Sequence, residues 1–269
     1  MKKSMFVVGV VAAAFSLVAM TSCELKMGDE DNRFSIASIE DTYQGVTVGG
    51  ISPVYASSFQ SKGSNSILGN GKFVLDSVRG VVYQNGGDGS AKRTHALQLD
   101  AAAFEKHDFS EGITIGFWVK KGSGVVGNWL PLFTAYKSTD YADPCFLLEF
   151  RLVAYYGHED SNRFISVNDT DANAGKSDWL NDGEWHYYTF TATAENAAIY
   201  VDGKLLKDEA ADLRELLFAL PSFTKIYLGG MQYNGWDDAD TGFLYSNLSI
   251  YNKALTEEQI IKVMNDKED

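Results

Sequence analysis

The sequence predicts an all-β protein, a two-sheet antiparallel β-sandwich with a short C-terminal helix. Short segments of alternating apolar and polar residues recur along the 269 residues, and they are rich in β-branched and aromatic side chains. The chain has 25 glycines and only 4 prolines, so Gly, Asn and Asp provide the breaks between segments. Such segments, separated by turn residues, are typical of antiparallel sandwiches.

Four segments show the strand pattern most clearly: 113–119, 146–153, 226–228 and 243–251. In 113–119, alternation places Ile113, Ile115, Phe117 and Val119 on one face. Residues 146–153 form one nearly continuous apolar run. In 243–251, Tyr245 and Tyr251 are expected to face away from Leu248 and Ile250, because side chains alternate between the two faces of a strand.

Two segments have helical spacing instead. Leu213, Leu216, Leu217 and Leu220 predict a short helix in a connection between strands. Residues 256–259 (Thr-Glu-Glu-Gln) have the form of a capping box. Behind that box, an apolar stripe of Ile260, Ile261 and Met264 predicts the helix that closes the domain.

Residues 183–204 predict a hairpin with one buried face. His186, Tyr188, Phe190 and Ala192 share the more apolar face, which should point into the sandwich. The other face carries Trp185, Tyr187, Thr189, Thr191 and Thr193. A turn is expected near residues 195–196, and Asp-Gly at 202–203 is a strong signal for a second tight turn.

The N-terminus has the pattern of an export signal. Lys2 and Lys3 precede the apolar residues 5–20, and Thr-Ser-Cys follows at 21–23. This order resembles a bacterial lipoprotein signal, which implies a signal peptide at 1–22 and lipidation of Cys23. The alternative is an ordinary signal peptide or a membrane helix with Cys23 incidental, although spanning a bilayer takes about 20 apolar residues.

The remainder is predicted to be a tether and one domain. Residues 23–34 are acidic and lack a core pattern, which suits a flexible tether. Residues 35–269 are enough for one sandwich domain, and no Pro/Gly/Ser-rich linker divides them. Lipidation of Cys23 would leave Cys145 as the one other cysteine, whose apolar neighbours predict a buried small hydrophobe.

Charge restricts the classes of partner. The chain has 36 acidic against 23 basic residues, a formal net charge of −13. Nucleic-acid binding requires clustered Lys and Arg, so the composition excludes nucleic acid and argues against docking on anionic lipid head groups. It is compatible with neutral glycans, with cations, or simply with a solvated surface.

A family resemblance rests on five segments in order. GEWHYYTFTATAENAAIYVDGK (183–204) contains a Trp-His pair, an alternating strand and a Tyr-Val-Asp-Gly turn. The others are HALQLD (95–100), ITIGFWVK (113–120), IYLGG (226–230) and LSIYNKALTEEQI (248–260). Together they resemble laminin-G-like domains with the concanavalin-A-like jelly-roll fold. The resemblance implies that residues 35–94 supply outer strands and an irregular lead-in.

The resemblance also bears on His186. In this family the Trp-His pair is structural, which implies a hydrogen-bonded core histidine that need not titrate usefully. A catalytic or metal-binding histidine is the alternative.

Catalysis finds little support in the strands. Retaining glycoside hydrolases of this fold carry alternating carboxylates about 5 Å apart, and no strand here has that spacing. Glu149 stands alone in an apolar run, with Arg151 two positions on, and we expect a cross-face ion pair or a polar outer surface. Tyr155, Tyr156 and His158 do not resemble the motifs of alginate-lyase-type sandwiches and are read as a strand that runs into a loop.

Two long loops combine aromatic and polar residues. The segment 229–243 presents Tyr233, Asn234, Trp236 and Asp237, and the segment 166–183 presents Asp178 and Trp179. An aromatic ring stacks on the apolar face of a sugar while Asp and Asn bind its hydroxyls, so these residues predict a glycan site. The alternative is that they only pack and solvate their loops.

Calcium is a second candidate ligand. Asp238 and Asp240 could supply the oxygen ligands that calcium takes. Laminin-G-like domains often bind calcium, but many bacterial relatives carry an Asp-Glu pair before the last strand's Tyr. Here Ser246 and Asn247 stand at that place, which argues against a family-type site.

The sequence therefore predicts a non-catalytic lipoprotein of the cell envelope that binds carbohydrate in polysaccharide capture. Its expected location is the outer membrane, with a lipid anchor at Cys23 and display at the cell surface. An adhesive module for protein partners is the alternative, and a glycoside hydrolase or lyase ranks third.

Overall fold

A computed structural model describes residues 41, 43–86, 95–122, 130–138, 140, 143–150, 152–157, 163–167, 180–230 and 242–266. Within these ranges the chain forms two antiparallel sheets, as the alternating segments predict, and two short α-helices.

One sheet has eight strands. Its spatial order is β13 (Lys204–Ala210), β12 (Asn196–Val201), β11 (Trp185–Ala192), β6 (Ile113–Lys120), β15 (Leu244–Tyr251), β4 (Gly80–Gln84) and β3 (Lys72–Asp76), and β1 (Tyr55–Ser57) also pairs with β15.

The other sheet has seven strands. Its order is β10 (Arg163–Ser166), β9 (Val153–Gly157), β8 (Cys145–Glu149), β7 (Pro131–Tyr136), β14 (Lys225–Leu228), β5 (Ala96–Gln98) and β2 (Ser66–Leu68).

The main core lies between the two sheets and is strongly aromatic. Phe146 of β8 meets Phe190 of β11 with ring centroids 5.4 Å apart. Phe117 stacks on Tyr188 at 5.3 Å, and both residues are fully buried. Tyr188, Phe190 and Ala192 lie in this core, which confirms the face predicted for β11.

One of the two α-helices lies between β13 and β14, and the other follows β15. α1 (Arg214–Ala219) runs into a 3-10 turn at Leu220–Ser222 and buries all four leucines of the predicted stripe. α2 (Glu257–Asn265) begins at the predicted capping box of Thr256 and Gln259. In the described part of the chain, no helix is long and apolar enough to cross a membrane.

The buried stripe of α2 agrees with the predicted one at Ile260 and Met264 and differs from it at Ile261. Ile260 and Val263 pack on the outer face of the eight-stranded sheet against Tyr187 and Tyr251, whereas Ile261 is 37% exposed. A helix buries residues three and four apart, so Ile260 and Val263 share a face that Ile261 leaves by about 100°.

The apolar run 146–153 is a hairpin and not one strand. β8 ends at Glu149 and β9 starts at Val153, and Leu152 between them has a φ of 59°. Both strands lie in the interior of the seven-stranded sheet, where both faces are buried. Such strands read as continuous apolar runs, so the sequence shows no alternation that would mark the turn.

β15 also departs from strict alternation. The register of its pairing with β6 shifts between Ser246 and Ser249, and Asn247 has a φ of 49°. A bulge inserts one extra residue and so changes the face of every later side chain. As a result Tyr245, Leu248 and Ile250 all lie in the main core, where alternation had set Tyr245 apart.

The outer face of the seven-stranded sheet is buried as well. It carries a cluster made of Ala96, Tyr136, Cys145, Leu147, Val153, Tyr155 and Tyr227. Cys145 is free and buried, as predicted, and burial raises the pKa of its thiol to about 12. Glu149 is only 3% exposed, so the prediction of a polar outer surface there is wrong. Its predicted partner Arg151 lies outside the described residues.

Candidate functional site

Both predicted binding loops end beside the same strand terminus. At the end of β6, Lys120 pairs with Trp185 on one side and with Leu244 on the other. Trp185 is the first strand residue after the loop 166–183, and Leu244 is the first after the loop 229–243. The two loops therefore return to the sandwich on either side of one strand, at one end of the molecule, which we call the loop end.

Side chains connect the bases of the two loops. Lys121 Nζ donates to Asn181 Oδ1 over 2.5 Å and lies 5.2 Å from the centroid of the Phe150 ring. Phe150 in turn contacts Phe243, with centroids 5.2 Å apart. Partial burial lowers the pKa of Lys121. One lysine and one aromatic pair thus hold residues 181 and 243 together.

Asn85 fixes the other base of the loop 229–243. It is fully buried, its Nδ2 donates to the Gly229 carbonyl, and its backbone N–H donates to Phe243 O over 3.1 Å. Gly229 has a φ of 71°, and a Cβ there would collide with the Asn85 side chain, so glycine is required. Within the described ranges, Asn85 Oδ1 has no hydrogen-bond partner. A buried acceptor oxygen therefore lies beside Gly229 and Phe243, the two ends of this loop.

His186 anchors the loop end from the side of β11. Its Nδ1 lies 2.8 Å from Asp202 Oδ2, and its Nε2 lies 3.0 Å from Asp182 Oδ1. The side chain is 13% exposed at the rim of the sandwich, not inside the core as alternation predicted. Burial acts to lower the pKa of His186, but hydrogen bonds to Asp202 and Asp182 outweigh burial and raise the pKa above 6.5. His186 is therefore a hydrogen-bonded histidine, as the resemblance implies, and two carboxylates face it at the rim.

The tryptophan of the Trp-His pair is fixed as well. Trp185 Nε1 donates to Asp76 Oδ1 over 3.0 Å, and Lys120 Nζ lies 3.9 Å from Asp76 Oδ2. Burial acts to raise the pKa of Asp76, but bonds from the backbone of Val78 and Arg79 and from Trp185, together with Lys120, lower the pKa overall. Both members of the pair are thus engaged in holding strand ends together.

The residues predicted to bind ligand, metal or lipid are not themselves described. Tyr233, Asn234, Trp236, Asp237, Asp238, Asp240, Asp178, Trp179 and Cys23 lie outside the described residues. What the structure places is the strand ends from which their loops leave. Among the described residues, no group of three or more His, Cys, Asp or Glu side chains could hold a metal ion.

Sequence reasoning missed the residues that join the loop bases. Asn85, Lys121 and Asn181 carry no motif, and their roles arise from contacts 60 to 144 positions apart along the chain. For Gly229 a signal existed, since a Gly-Gly pair after a strand marks a backbone that side chains would obstruct.

Carboxylate chemistry is limited in the described part of the chain. Glu149 is the one buried Asp or Glu there. Hydrolysis of a glycosidic bond uses two carboxylates that flank the bond.

A family model described as the concanavalin A-like lectin/glucanases superfamily matches residues 91–261. A comparison with curated proteins finds no match.

Solved structures share the fold at low sequence identity. A Trypanosoma rangeli sialidase in complex with 2,3-difluoro-KDN is 16% identical with a TM-score of 0.51, and the match covers 80% of this chain and 32% of the sialidase. The binding domain of botulinum neurotoxin serotype D/C VPI 5993 is 16% identical with a TM-score of 0.51, over 79% of this chain and 51% of that chain. Domain 4 of AbnA, an arabinanase from Geobacillus stearothermophilus in complex with arabinotriose, is 14% identical with a TM-score of 0.49, over 80% and 89%. The chain thus spans about half of the toxin domain and a third of the sialidase.

Proposed function

Because the chain belongs to the concanavalin A-like lectin/glucanases superfamily, we propose that it is a non-catalytic binding module of the cell envelope whose ligand is a carbohydrate. The observation that carries the proposal is the pairing of Lys120 with both Trp185 and Leu244. This pairing brings together the bases of two loops that are each rich in aromatic and polar residues.

The chemistry of those loops suits a sugar. Trp236, Tyr233 and Trp179 would supply rings for the apolar faces of pyranoses, and Asn234, Asp237 and Asp178 would bind hydroxyl groups. Lys121, Phe150 and Asn85 act beneath them by fixing the loop bases. Rigid bases favour affinity because less conformational entropy is lost on binding.

Calcium would act at the same end. Asp238 and Asp240 would be its ligands, and the unpartnered Asn85 Oδ1 is an oxygen of the type that calcium takes. A calcium ion there would order the loop 229–243 and so strengthen sugar binding.

The proposed location is the outer membrane, through lipid on Cys23. The support is the signal-like N-terminus followed by small residues and cysteine. Labelled palmitate should enter the wild-type protein in cells but not the Cys23→Ser variant, and equal labelling would contradict the anchor.

A glycan array tests the function. The full-length protein is applied with and without calcium, beside Trp236→Ala, Trp179→Ala and, as a control outside the two loops, Leu205→Ala, which removes a partly exposed apolar side chain of β13. We expect specific hits that weaken by about fivefold in each tryptophan variant, since an aromatic contact is worth about 1 kcal/mol.

The control should bind as the wild type does. A folded wild-type protein that binds no sugar on the array would contradict the carbohydrate proposal. The alternative, an adhesive module for protein partners, would then be favoured. The aromatic residues of the two loops would in that case only pack within their loops.

A further inference from the structure

An aromatic ring is exposed on a rigid element far from the loop end. Phe218 of α1 is 89% exposed, the largest value among the exposed large hydrophobic residues of the described ranges. Its neighbours Leu216 and Leu217 are buried in the main core, so the helix that carries the ring is firmly attached. Scattered exposed apolar residues are ordinary. A ring that an anchored helix presents beside a cavity is instead a candidate for contact with a ligand.

The ring stands at the edge of a groove of about 880 Å³. This volume lies within the range of about 300–1,000 Å³ that small-molecule sites occupy. One wall is α1 with the 3-10 turn after it, and the other is the segment before β6. The groove, which we call the Phe218 groove, has among its lining residues Asp108, Ser110, Ala194, Arg214, Leu217 and Phe218.

Its polar groups are fixed in advance. Asp108 Oδ1 accepts from the Ser110 N–H over 2.9 Å, and the Asp108 carbonyl accepts from Asn252 Nδ2 over 3.0 Å. The bonds from Ser110 lower the pKa of Asp108, so its carboxylate remains an acceptor at neutral pH. On the opposite wall, Arg214 is two-thirds exposed and lies 3.3 Å from Asp212.

The groove lies at the end of the sandwich opposite the loop end. Ile113 begins β6 just after the segment 107–110 and pairs with Ala192, beyond which Ala194 lines the groove. Lys120, at the loop end, closes the same eight-residue strand. At about 3.3 Å per residue the two ends are roughly 25 Å apart, so they cannot share one sugar ring.

We propose that the Phe218 groove is a second carbohydrate-binding site, in which Phe218 stacks on the apolar face of a neutral sugar ring and Asp108, Ser110 and Arg214 bind its hydroxyl groups. The class of ligand rests on the proposed function, whereas the location does not. An acyl chain or an apolar peptide would leave the hydrogen-bonding groups of Asp108, Ser110 and Arg214 unused, and would lose free energy wherever it displaced their water. Sugar hydroxyls replace those bonds.

Two sites at opposite ends would change how the protein holds a polymer. A long polysaccharide offers many copies of its repeat, so a second contact forms at high effective concentration. Avidity then exceeds the affinity of either site without any further contact.

Affinity electrophoresis tests the groove. The full-length protein is run in native gels that contain soluble starch, xylan, mannan or mixed-linkage β-glucan. The background is the Trp179→Ala, Trp236→Ala variant, which removes both tryptophan rings assigned to the loop end. We expect this background to be retarded still. Adding Phe218→Ala should lower the affinity for the polysaccharide, calculated from the retardation, about tenfold, which is equivalent to about 1.4 kcal/mol.

Two matched variants control for folding and for lost apolar surface. Phe218→Tyr keeps the ring and should bind as its background does. Leu75→Ala removes an apolar side chain that is 81% exposed on β3, away from the groove, and should change nothing.

The failures are distinguishable. If the loop variants abolish retardation and Phe218→Ala matches Leu75→Ala in the wild-type chain, the proposed function holds and the second site is wrong. If no gel retards the wild type, both are wrong. If Phe218→Ala instead abolishes binding of 1-anilinonaphthalene-8-sulfonate and leaves retardation unchanged, the groove is an apolar docking surface and the proposal is overturned.

Discussion

His186 holds two separate segments to the start of β11. Its two ring nitrogens bond carboxylates on either side, Asp202 in the hairpin turn after β12 and Asp182 in the segment before β11. Asp202 Oδ1 also accepts from the Tyr187 N–H over 2.9 Å. Since the neutral ring has one N–H and the charged ring has two, the arrangement suits the imidazolium form best.

The pKa shifts set the direction of the pH dependence. The folded-state pKa of His186 is above 6.5, so its contribution to stability is complete below that pH and is lost as pH rises through the folded pKa. The pKa of Asp182 is lowered, first by the Glu184 N–H and then by His186. Its contribution is present above the ordinary value of 3.8 and is lost as pH falls below it. The contact therefore stabilises most in mildly acidic solution.

We predict that His186→Gln lowers the melting temperature more at pH 6 than at pH 9. Partly exposed pairs contribute about 0.2–1 kcal/mol, and the charged ring that gives this contribution is lost as pH rises through the folded pKa. Thermal unfolding across the range measures the difference. Arg214→Gln is the control, because a guanidinium does not titrate there. An equal loss at both pH values would contradict the assignment.

At this scale the sequence predicts the role of His186 better than its place. The Trp-His pair and the Asp-Gly turn indicate an architectural histidine, and the hydrogen bonds agree. Alternation, however, assigns only a face and not a depth. His186 is the second residue of β11, where the core thins out and acidic side chains can reach the ring.

The C-terminal helix depends on its first turn. The Thr256 N–H donates to Gln259 Oε1 over 2.9 Å, and the Gln259 N–H lies 3.4 Å from Thr256 Oγ1. These bonds satisfy two donors that a helix N-terminus leaves unpaired. Since Ile260 and Val263 cover Tyr187 and Tyr251, the cap stabilises a layer outside the eight-stranded sheet.

We predict that Thr256→Ala lowers the free energy of unfolding by about 1 kcal/mol, because the N-cap acceptor is lost. Urea unfolding of the full-length protein gives the value. Thr256→Ser retains the hydroxyl and should differ from the wild type by only a few tenths of that loss. Equal losses in both variants would show that the methyl group, not the cap, is responsible.

Elements that a few adjacent residues determine were predicted well, whereas the breaks within predicted strands were not. The capping box and the 202–203 turn are legible because a few adjacent residues determine them; Asp202 and Gly203 have φ values of 53° and 73°, as the hairpin requires. The breaks at Leu152 and Asn247 place both residues in left-handed backbone. Asn adopts that conformation more readily than most residues, whereas at Leu152 the side chain gives no signal of the turn.

For the whole molecule, the sequence predicts the fold, but it predicts the candidate site only in part. Alternation and turn residues indicate two sheets, and the loop composition indicates where ligands could bind. That both loops border Lys120 follows from pairings 65 and 124 positions apart, which periodicity cannot reveal. Sequence reasoning missed the Phe218 groove although one signal existed: Phe218 is apolar but lies off the stripe formed by Leu213, Leu216, Leu217 and Leu220.

One continuous core unites the two sheets. Phe146 belongs to the seven-stranded sheet and Phe190 to the eight-stranded one, and their rings meet across the interface. Both residues belong to a single cluster with Phe117, Tyr188 and Tyr245. Truncating either ring leaves a cavity that close-packed neighbours fill only partly.

Phe146→Ala should therefore lower the free energy of unfolding by about 3–5 kcal/mol, measured by urea denaturation. The same substitution at Phe218, which is 89% exposed, should cost no more than about 0.5 kcal/mol. The comparison holds the chemistry of the change constant and varies only burial. A large loss at Phe218 would mean that its ring supports the fold, and a reduced affinity of Phe218→Ala for polysaccharide would then no longer identify a binding site. If Phe218→Ala loses little free energy of unfolding and Phe146→Ala loses much, the Phe218 ring does not support the fold. A reduced affinity of Phe218→Ala for polysaccharide then reports on ligand binding.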